Sequence, residues 1–143
     1  MNNIADRATR WFTDMWNQRD RRMIVEGMAE DVRGHTESGV IVGRDAWIAS
    51  VFEPFIGAFP DLKLDVEGTV CQGDEVVVRW QFSGTHQGDA LGVPACGKFV
   101  SFAGMTWLRY RDGKIIEGRD CFNNGGLMMA LQSSKSQGSV QLR

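Results

Sequence analysis

Apolar residues at Ile4, Ala5, Ala8, Trp11, Phe12, Met15 and Trp16 recur in steps of three and four. That period predicts an amphipathic helix over 3–17 with one buried stripe. A second, shorter helix is predicted from Arg21 to Ala29, with Ile24, Val25 and Met28 facing inward and Gly27 weakening it. A short strand over Val32–Glu37, a Ser-Gly turn and the run Val40-Ile41-Val42 come next, and Gly43 breaks that run. Trp47, Ile48, Val51, Phe52 and Phe55 predict a third helix over Arg44–Ala58, which Pro54 should kink or shorten.

After Pro60 the period changes to that of a strand: Leu62, Leu64 and Val66 alternate with charged residues. Glu75–Thr85 is the clearest strand, with Val76, Val78, Trp80 and Phe82 on one face and Val77, Arg79, Gln81 and Ser83 on the other. Gly84–Gly97 is a long Gly- and Pro-containing loop, and Phe99–Tyr110 is a long strand. Asp112-Gly113 supplies the positive φ of a tight hairpin turn, so Ile115–Phe122 returns as the last strand. Gly125–Gln132 predicts a final helical turn, and 133–143 a mobile polar tail. Helices followed by at least four strands in meander order argue an α+β fold, helices on one face of an antiparallel sheet. A strongly curved sheet would leave a cavity between the two layers.

Composition narrows the function classes. The 143 residues suit one domain, taken as 1–132 plus the tail. A net charge of −2 and the lack of a basic block argue against nucleic-acid binding. No apolar run approaches the roughly 20 residues of a membrane span, and the first residues lack an apolar signal region, so a cytoplasmic protein is expected. The three cysteines form no CxxC pair and suit a reducing compartment. His35 and His86 are far apart in sequence, outside any ligand-spaced cluster, so no metal is expected. No phosphate loop or dinucleotide fingerprint is present, and no cofactor is expected.

Asp120 is the sharpest candidate for chemistry. It shares a strand face with Ile116, Gly118 and Phe122, and an acid on an apolar face is costly unless paired or protonated. Desolvation would raise its pKa toward the range useful for proton transfer, whereas pairing with Arg79 or Arg109 would make it structural. His86, where the long loop begins, is a candidate to gate a pocket or share a proton, against the alternative of a solvated loop histidine. His35 faces the cone or the solvent depending on strand alternation. Arg79, with Gln81 on the same face, would bind a carboxylate or polarise an oxygen, or sit on a wet surface. Asn123 would donate to an oxyanion or simply end the strand. Most of the five Trp and eight Phe should pack as core. Trp80, Trp107 and Phe122 are candidates to line a cavity for a flat polycyclic or terpenoid ligand.

Three segments together carry a family resemblance: Gly84–Gly97, then Asp112-Gly-Lys-Ile-Ile-Glu-Gly-Arg-Asp120, then Gly125-Gly-Leu-Met-Met-Ala-Leu-Gln132. With the opening helix and the Gly43-Arg44-Asp45-Ala46 turn, they resemble the SnoaL-like polyketide cyclases and ester cyclases over about residues 4–132. That fold superfamily also holds nuclear transport factor 2, ketosteroid isomerases and limonene epoxide hydrolases. The resemblance implies a cone-shaped curved antiparallel sheet (an α+β barrel) with three N-terminal helices on its concave face. It also implies an apolar pocket, a homodimer and no cofactor. Asp120 matches the aspartate that serves as acid and base in intramolecular aldol ring closure. The chain departs from its relatives at two points. The cyclase's partner histidine is missing from the long strand, which offers Gly104 and Thr106 nearby. The epoxide hydrolase Arg-x-Asp reads Arg79-Trp80-Gln81, and Gln81 cannot orient a base. The expected function is a cofactor-independent acid–base enzyme on a hydrophobic, carbonyl-bearing small molecule, with the Gly84–Gly97 loop excluding water. Epoxide hydrolysis and ligand binding without catalysis are the alternatives.

Overall fold

The structure, a computed structural model, describes residues 3–133 and 139–142. Helix α1 (Ile4–Asn17) starts where Asn3 accepts the Asp6 amide at 2.8 Å and buries the predicted stripe Ala8, Trp11, Phe12, Met15 and Trp16. Helix α2 (Arg21–Gly27) is two residues shorter than predicted, because Met28 already belongs to a strand. Ile24 is buried, but Val25 points outward. Gly27 has a packing reason: a Cβ there would lie 2.7 Å from Trp11 Cδ1. The same indole donates to the Met23 carbonyl at 3.0 Å, so the two helices interlock.

Strands β1 (Met28–Thr36) and β2 (Gly39–Val42) form a hairpin. The predicted third helix is helical throughout but built in three parts: α3 (Arg44–Trp47), a π-helical turn over Ile48–Phe52, and α4 (Glu53–Ala58). Pro54 neither ends nor shortens it; the π-helical turn directly before it, where the Glu53 amide reaches back to the Ile48 carbonyl, marks the irregularity.

The remaining strands are β3 (Lys63–Gln72), β4 (Glu75–Thr85), β5 (Phe99–Arg111) and β6 (Lys114–Phe122), with helix α5 (Asn124–Gln132) after them. They belong to one curved, unclosed sheet in the order β2-β1-β6-β5-β4-β3. This sheet is mixed rather than wholly antiparallel, since β1 runs parallel to β6. A long connection through the helices frees β1 from the alternation that a hairpin imposes. Part of the stretch expected as a mobile tail is also a strand: β7 (Ser139–Leu142) pairs parallel with Phe99–Phe102 of β5, beyond the point where β6 ends. The rest of that expected tail, 134–138 and 143, lies outside the described residues.

The helices cover the inner face of the sheet, and one apolar core joins them. It includes Trp11, Met15, Trp16, Phe52 and Phe59 from the helical layer and Val78, Trp80, Phe82, Phe102 and Leu108 from the strands. Burying each large side chain contributes roughly 1.5–3 kcal/mol. Buried Lys98 donates its Nζ to the Ala130 and Ser133 carbonyls at 2.7 and 3.1 Å, which ties the end of α5 to the start of β5. No helix among the described residues is long and apolar enough to cross a membrane.

Candidate active site

Strand register builds the site. Val78, Thr106 and Asp120 lie side by side across β4, β5 and β6. Trp80, Gly104 and Phe122 form the next row. Gly104 is decisive, because a Cβ there would lie 2.5 Å from Trp80 Cη2 and Cζ2. Without it, the Trp80 ring spreads across the row and its Nε1 donates to Thr106 Oγ1 at 2.9 Å. Thr106 Oγ1 in turn donates to Asp120 Oδ1 at 2.7 Å. A hydroxyl has one proton to give, and the indole N–H occupies one of its lone pairs. Trp80 thus donates to Thr106 and Thr106 to Asp120, and one lone pair of the hydroxyl stays open.

Asp120 lies in the wall shared by two adjoining spaces. The inner chamber, about 80 Å³, is walled by side chains such as Trp16, Trp47, Phe55, Trp80, Phe102 and Phe122. Among the described residues Asp120 is its one ionisable side chain, and Thr106 and the indole N–H groups are its other polar groups. The outer cleft, about 400 Å³, is bordered by the β1–β2 hairpin, Ser50 and Asn124. The two spaces share Val51, Phe55, Asp120 and Phe122. The chamber alone falls below the roughly 300 Å³ of small-molecule sites, but chamber and cleft together reach that range.

Burial raises the Asp120 pKa above the ordinary carboxylate range, and the Thr106 hydrogen bond pulls it part of the way back. The carboxyl still meets the cleft, so it is desolvated without being sealed in. Pairing with Arg79 or Arg109 does not occur. Arg79 lies 3.6 Å from Glu67, and Arg109 lies 3.8 Å from both Glu75 and Glu117.

Of the other residues singled out from the sequence, Trp80 and Phe122 line the chamber. The rest lie elsewhere. Arg79 and Gln81 point to the outer face of the sheet, opposite to Trp80, and Gln81 donates to Ser101 Oγ at 2.7 Å. Trp107 is 50% exposed on that face. His35 also points away from the chamber and sits 2.7 Å from Glu117, holding the Glu117 carboxyl below its usual range. It is Gly34, next to it, that lines the chamber. Asn123 caps α5 by accepting the Gly126 amide at 2.9 Å.

His86 has no accessible surface and lines neither space. Its ring packs on Phe59, with centroids 5.6 Å apart, and Nδ1 accepts the Cys96 amide at 3.3 Å. Burial lowers its pKa, so it is a neutral packing group rather than a second proton carrier beside Asp120. The Gly84–Gly97 loop does not cover the mouth either. Gln87 and Gly88 donate to the Ala58 carbonyl at 3.0 and 3.2 Å, and a Cβ on Gly88 would lie 2.1 Å from the Gly57 oxygen. The loop is thus clamped to α4, and the β1–β2 hairpin borders the cleft in its place. Thr106, the residue that holds Asp120, was pointed to in the sequence only by the resemblance, as one of two residues near the place of the missing histidine.

The SnoaL-like polyketide cyclase family model matches residues 6–131. A candidate SnoaL-like polyketide cyclase from Jannaschia sp. CCS1 is 25% identical, with a TM-score of 0.81 over 94% of this chain and 98% of that one. AclR, a candidate hydroxylase from Streptomyces galilaeus, is 30% identical, with a TM-score of 0.75 over 88% and 95%. IdmH, a candidate polyketide cyclase from Streptomyces antibioticus, is 26% identical, with a TM-score of 0.73 over 88% and 95%. No curated protein matches the chain. A family match that spans most of the sequence, on a fold shared with these structures, places the chain in the SnoaL-like polyketide cyclase family.

Proposed function

We propose that this protein is a cofactor-independent acid–base enzyme acting on a hydrophobic, carbonyl-bearing small molecule. The observation that carries this reading is Asp120, a desolvated carboxyl without a cationic partner among the described residues, in the wall of an aromatic chamber. Ionised Asp120 takes a proton from the carbon beside a carbonyl, and the electron pair moves onto the oxygen as an enolate. In ring closure the enolate carbon then attacks a second carbonyl of the same molecule, and the alkoxide formed receives a proton from Asp120. Isomerisation returns the proton to a different carbon instead. Chamber walls without other charges protect the enolate from water.

Epoxide hydrolysis would require a second acid beside Asp120. Gln81 is on the wrong face, and no other carboxylate lines the chamber among the described residues. Binding without catalysis would suit an ion-paired Asp120 of low pKa, and the burial of this carboxyl argues the other way. The test is exchange of α-protons of flat aryl ketones in D2O, followed by proton NMR. Exchange that depends on Asp120 supports the reading, and a panel showing none beyond buffer rejects it.

The same reading includes a homodimer in the cytosol, where the free Cys71, Cys96 and Cys121 would remain reduced. Met105 and Trp107 are 52% and 50% exposed in the middle of the outer sheet face. Glu75, Arg109, Glu117 and Arg119 surround Trp107 with both signs of charge. A second copy related by a two-fold axis can match such a face, acid to base. Trp107→Glu is expected to halve the mass measured by light scattering while far-UV circular dichroism stays unchanged. A wild-type monomer at tens of micromolar would refute the dimer.

A further inference from the structure

The chamber contains donors that the protein leaves unused. Trp11 and Trp80 donate their indole N–H groups to the Met23 carbonyl and to Thr106. Trp16 and Trp47 also line the chamber, and their N–H groups have no acceptor among the described residues. An indole N–H that faces a cavity without a protein acceptor is open to an acceptor brought by a ligand.

Trp47 is the better placed of the two. Gly34 on β1 pairs with Gly118 on β6, and both line the chamber. A Cβ on Gly34 would lie 3.4 Å from Trp47 Cδ1 and 3.9 Å from Nε1. The Cδ1–Nε1 edge of Trp47 therefore lies against Gly34, on the strand that pairs with β6. Asp120 is two residues beyond Gly118 on the same face, about 6.6 Å along the strand. Donor and acid thus line the same chamber. His35, Arg79 and Asn123, the sequence's candidates to hold an oxygen, are engaged elsewhere.

We propose that Trp47 binds the carbonyl oxygen of the substrate through Nε1–H, while Asp120 exchanges a proton at the neighbouring carbon. The substrate class is then a flat ketone that enters with its carbonyl turned toward Trp47. The hydrogen bond strengthens as the oxygen gains enolate charge, which is where a fixed donor in an apolar site is most effective. This inference rests on the acid–base reading of Asp120.

Two probes of matched shape test it: 2-acetylnaphthalene and 2-isopropylnaphthalene. In 15N–1H spectra of the wild type, the Trp47 indole signal, identified by its loss in Trp47→Phe, is expected to move downfield with the ketone and not with the hydrocarbon. Trp47→Phe is expected to weaken ketone binding about 3- to 10-fold more than hydrocarbon binding. Should that variant fail to fold, the carbonyl stretch of the ketone bound to wild type is expected at lower frequency than in a hydrocarbon solvent. The proposal is overturned if the Trp47 signal ignores the carbonyl, if both probes weaken equally, if the stretch is unshifted, or if neither probe binds. The two readings fail separately. Asp120-dependent α-proton exchange with an indifferent Trp47 signal sinks only the donor assignment. A carbonyl-sensitive Trp47 signal without Asp120-dependent exchange sinks the acid–base reading instead.

Discussion

Replacing Asp120 with Asn is expected to lower the rate of α-proton exchange by about 10²–10⁴-fold, the usual contribution of a general acid or base. The fold should survive, because Asn keeps an oxygen to accept from Thr106 and its amide N–H2 replaces the acid O–H on the other side. The variant should also be more stable than wild type at neutral and alkaline pH. The wild-type carboxyl has a raised pKa in the folded protein, so the folded state holds the proton over a range where the unfolded chain, with a pKa of about 3.9, has released it. Wild-type stability therefore falls as pH rises from the unfolded value to the folded one, and levels off above it. Asn has no proton to lose. Melting temperatures measured between pH 4 and pH 9 should separate in favour of Asp120→Asn as pH rises, then run parallel. A variant less stable than wild type at pH 8 would mean that the ionised carboxylate is stabilised by something other than Thr106.

The second large effect concerns packing. Gly104→Ala is expected to cost about 1–3 kcal/mol, the range for overpacking a filled core. Its new Cβ would sit 2.5 Å from the Trp80 ring and 2.9 Å from Phe122 Cβ. Neither neighbour can swing aside freely. Phe102 and Phe122 stack at 5.3 Å, and Trp80 lies 6.0 Å from Phe102 and 5.9 Å from Phe122 between centroids. Displacing Trp80 also draws Nε1 away from Thr106 and loosens the hold on Asp120. Activity and stability should thus fall together. Gly34→Ala is the control: its Cβ meets Trp47 at 3.4 Å, ordinary contact, so urea unfolding should show a much smaller change. Equal costs at the two positions would contradict the close approach at Gly104.

Much of this architecture could be read from hydrophobic spacing. The stripe of α1 and the alternation of β4 place Trp16, Trp80 and Phe82 on the inner face as predicted. The inward orientation of Asp120 also follows from its alternation with Gly118 and Phe122. The pairing across the last hairpin could not be counted from the sequence. Arg111 pairs with Lys114 at the turn, and counting on from there puts Trp107 opposite Gly118 and Met105 opposite Asp120. A register shift between Tyr110 and Arg109 moves every later pair by one, so that Leu108 meets Gly118 and Thr106 meets Asp120. A one-residue slip of this kind exchanges the faces of a strand. It turns Ile115, not Ile116, into the chamber, while β5 alternates without a break and Trp107 faces outward by that alternation alone. Bulges of this kind leave little trace in a single sequence. His35 and His86 eluded prediction for another reason. Their partners, Glu117 and the Cys96 amide, are fixed by tertiary packing, and no local pattern announces them.

The ionisation of Asp120 in the folded protein is the most direct test, by 13C-detected carboxyl NMR with Asp120→Asn to assign the signal. The expected midpoint lies well above the ~3.9 of a model peptide, and Thr106→Val, which removes the hydrogen bond that lowers it, should move it higher still. A midpoint at or below ~3.9 would contradict the central claim, because Asp120 would then be an ordinary solvated or paired carboxylate with no proton to exchange near neutrality.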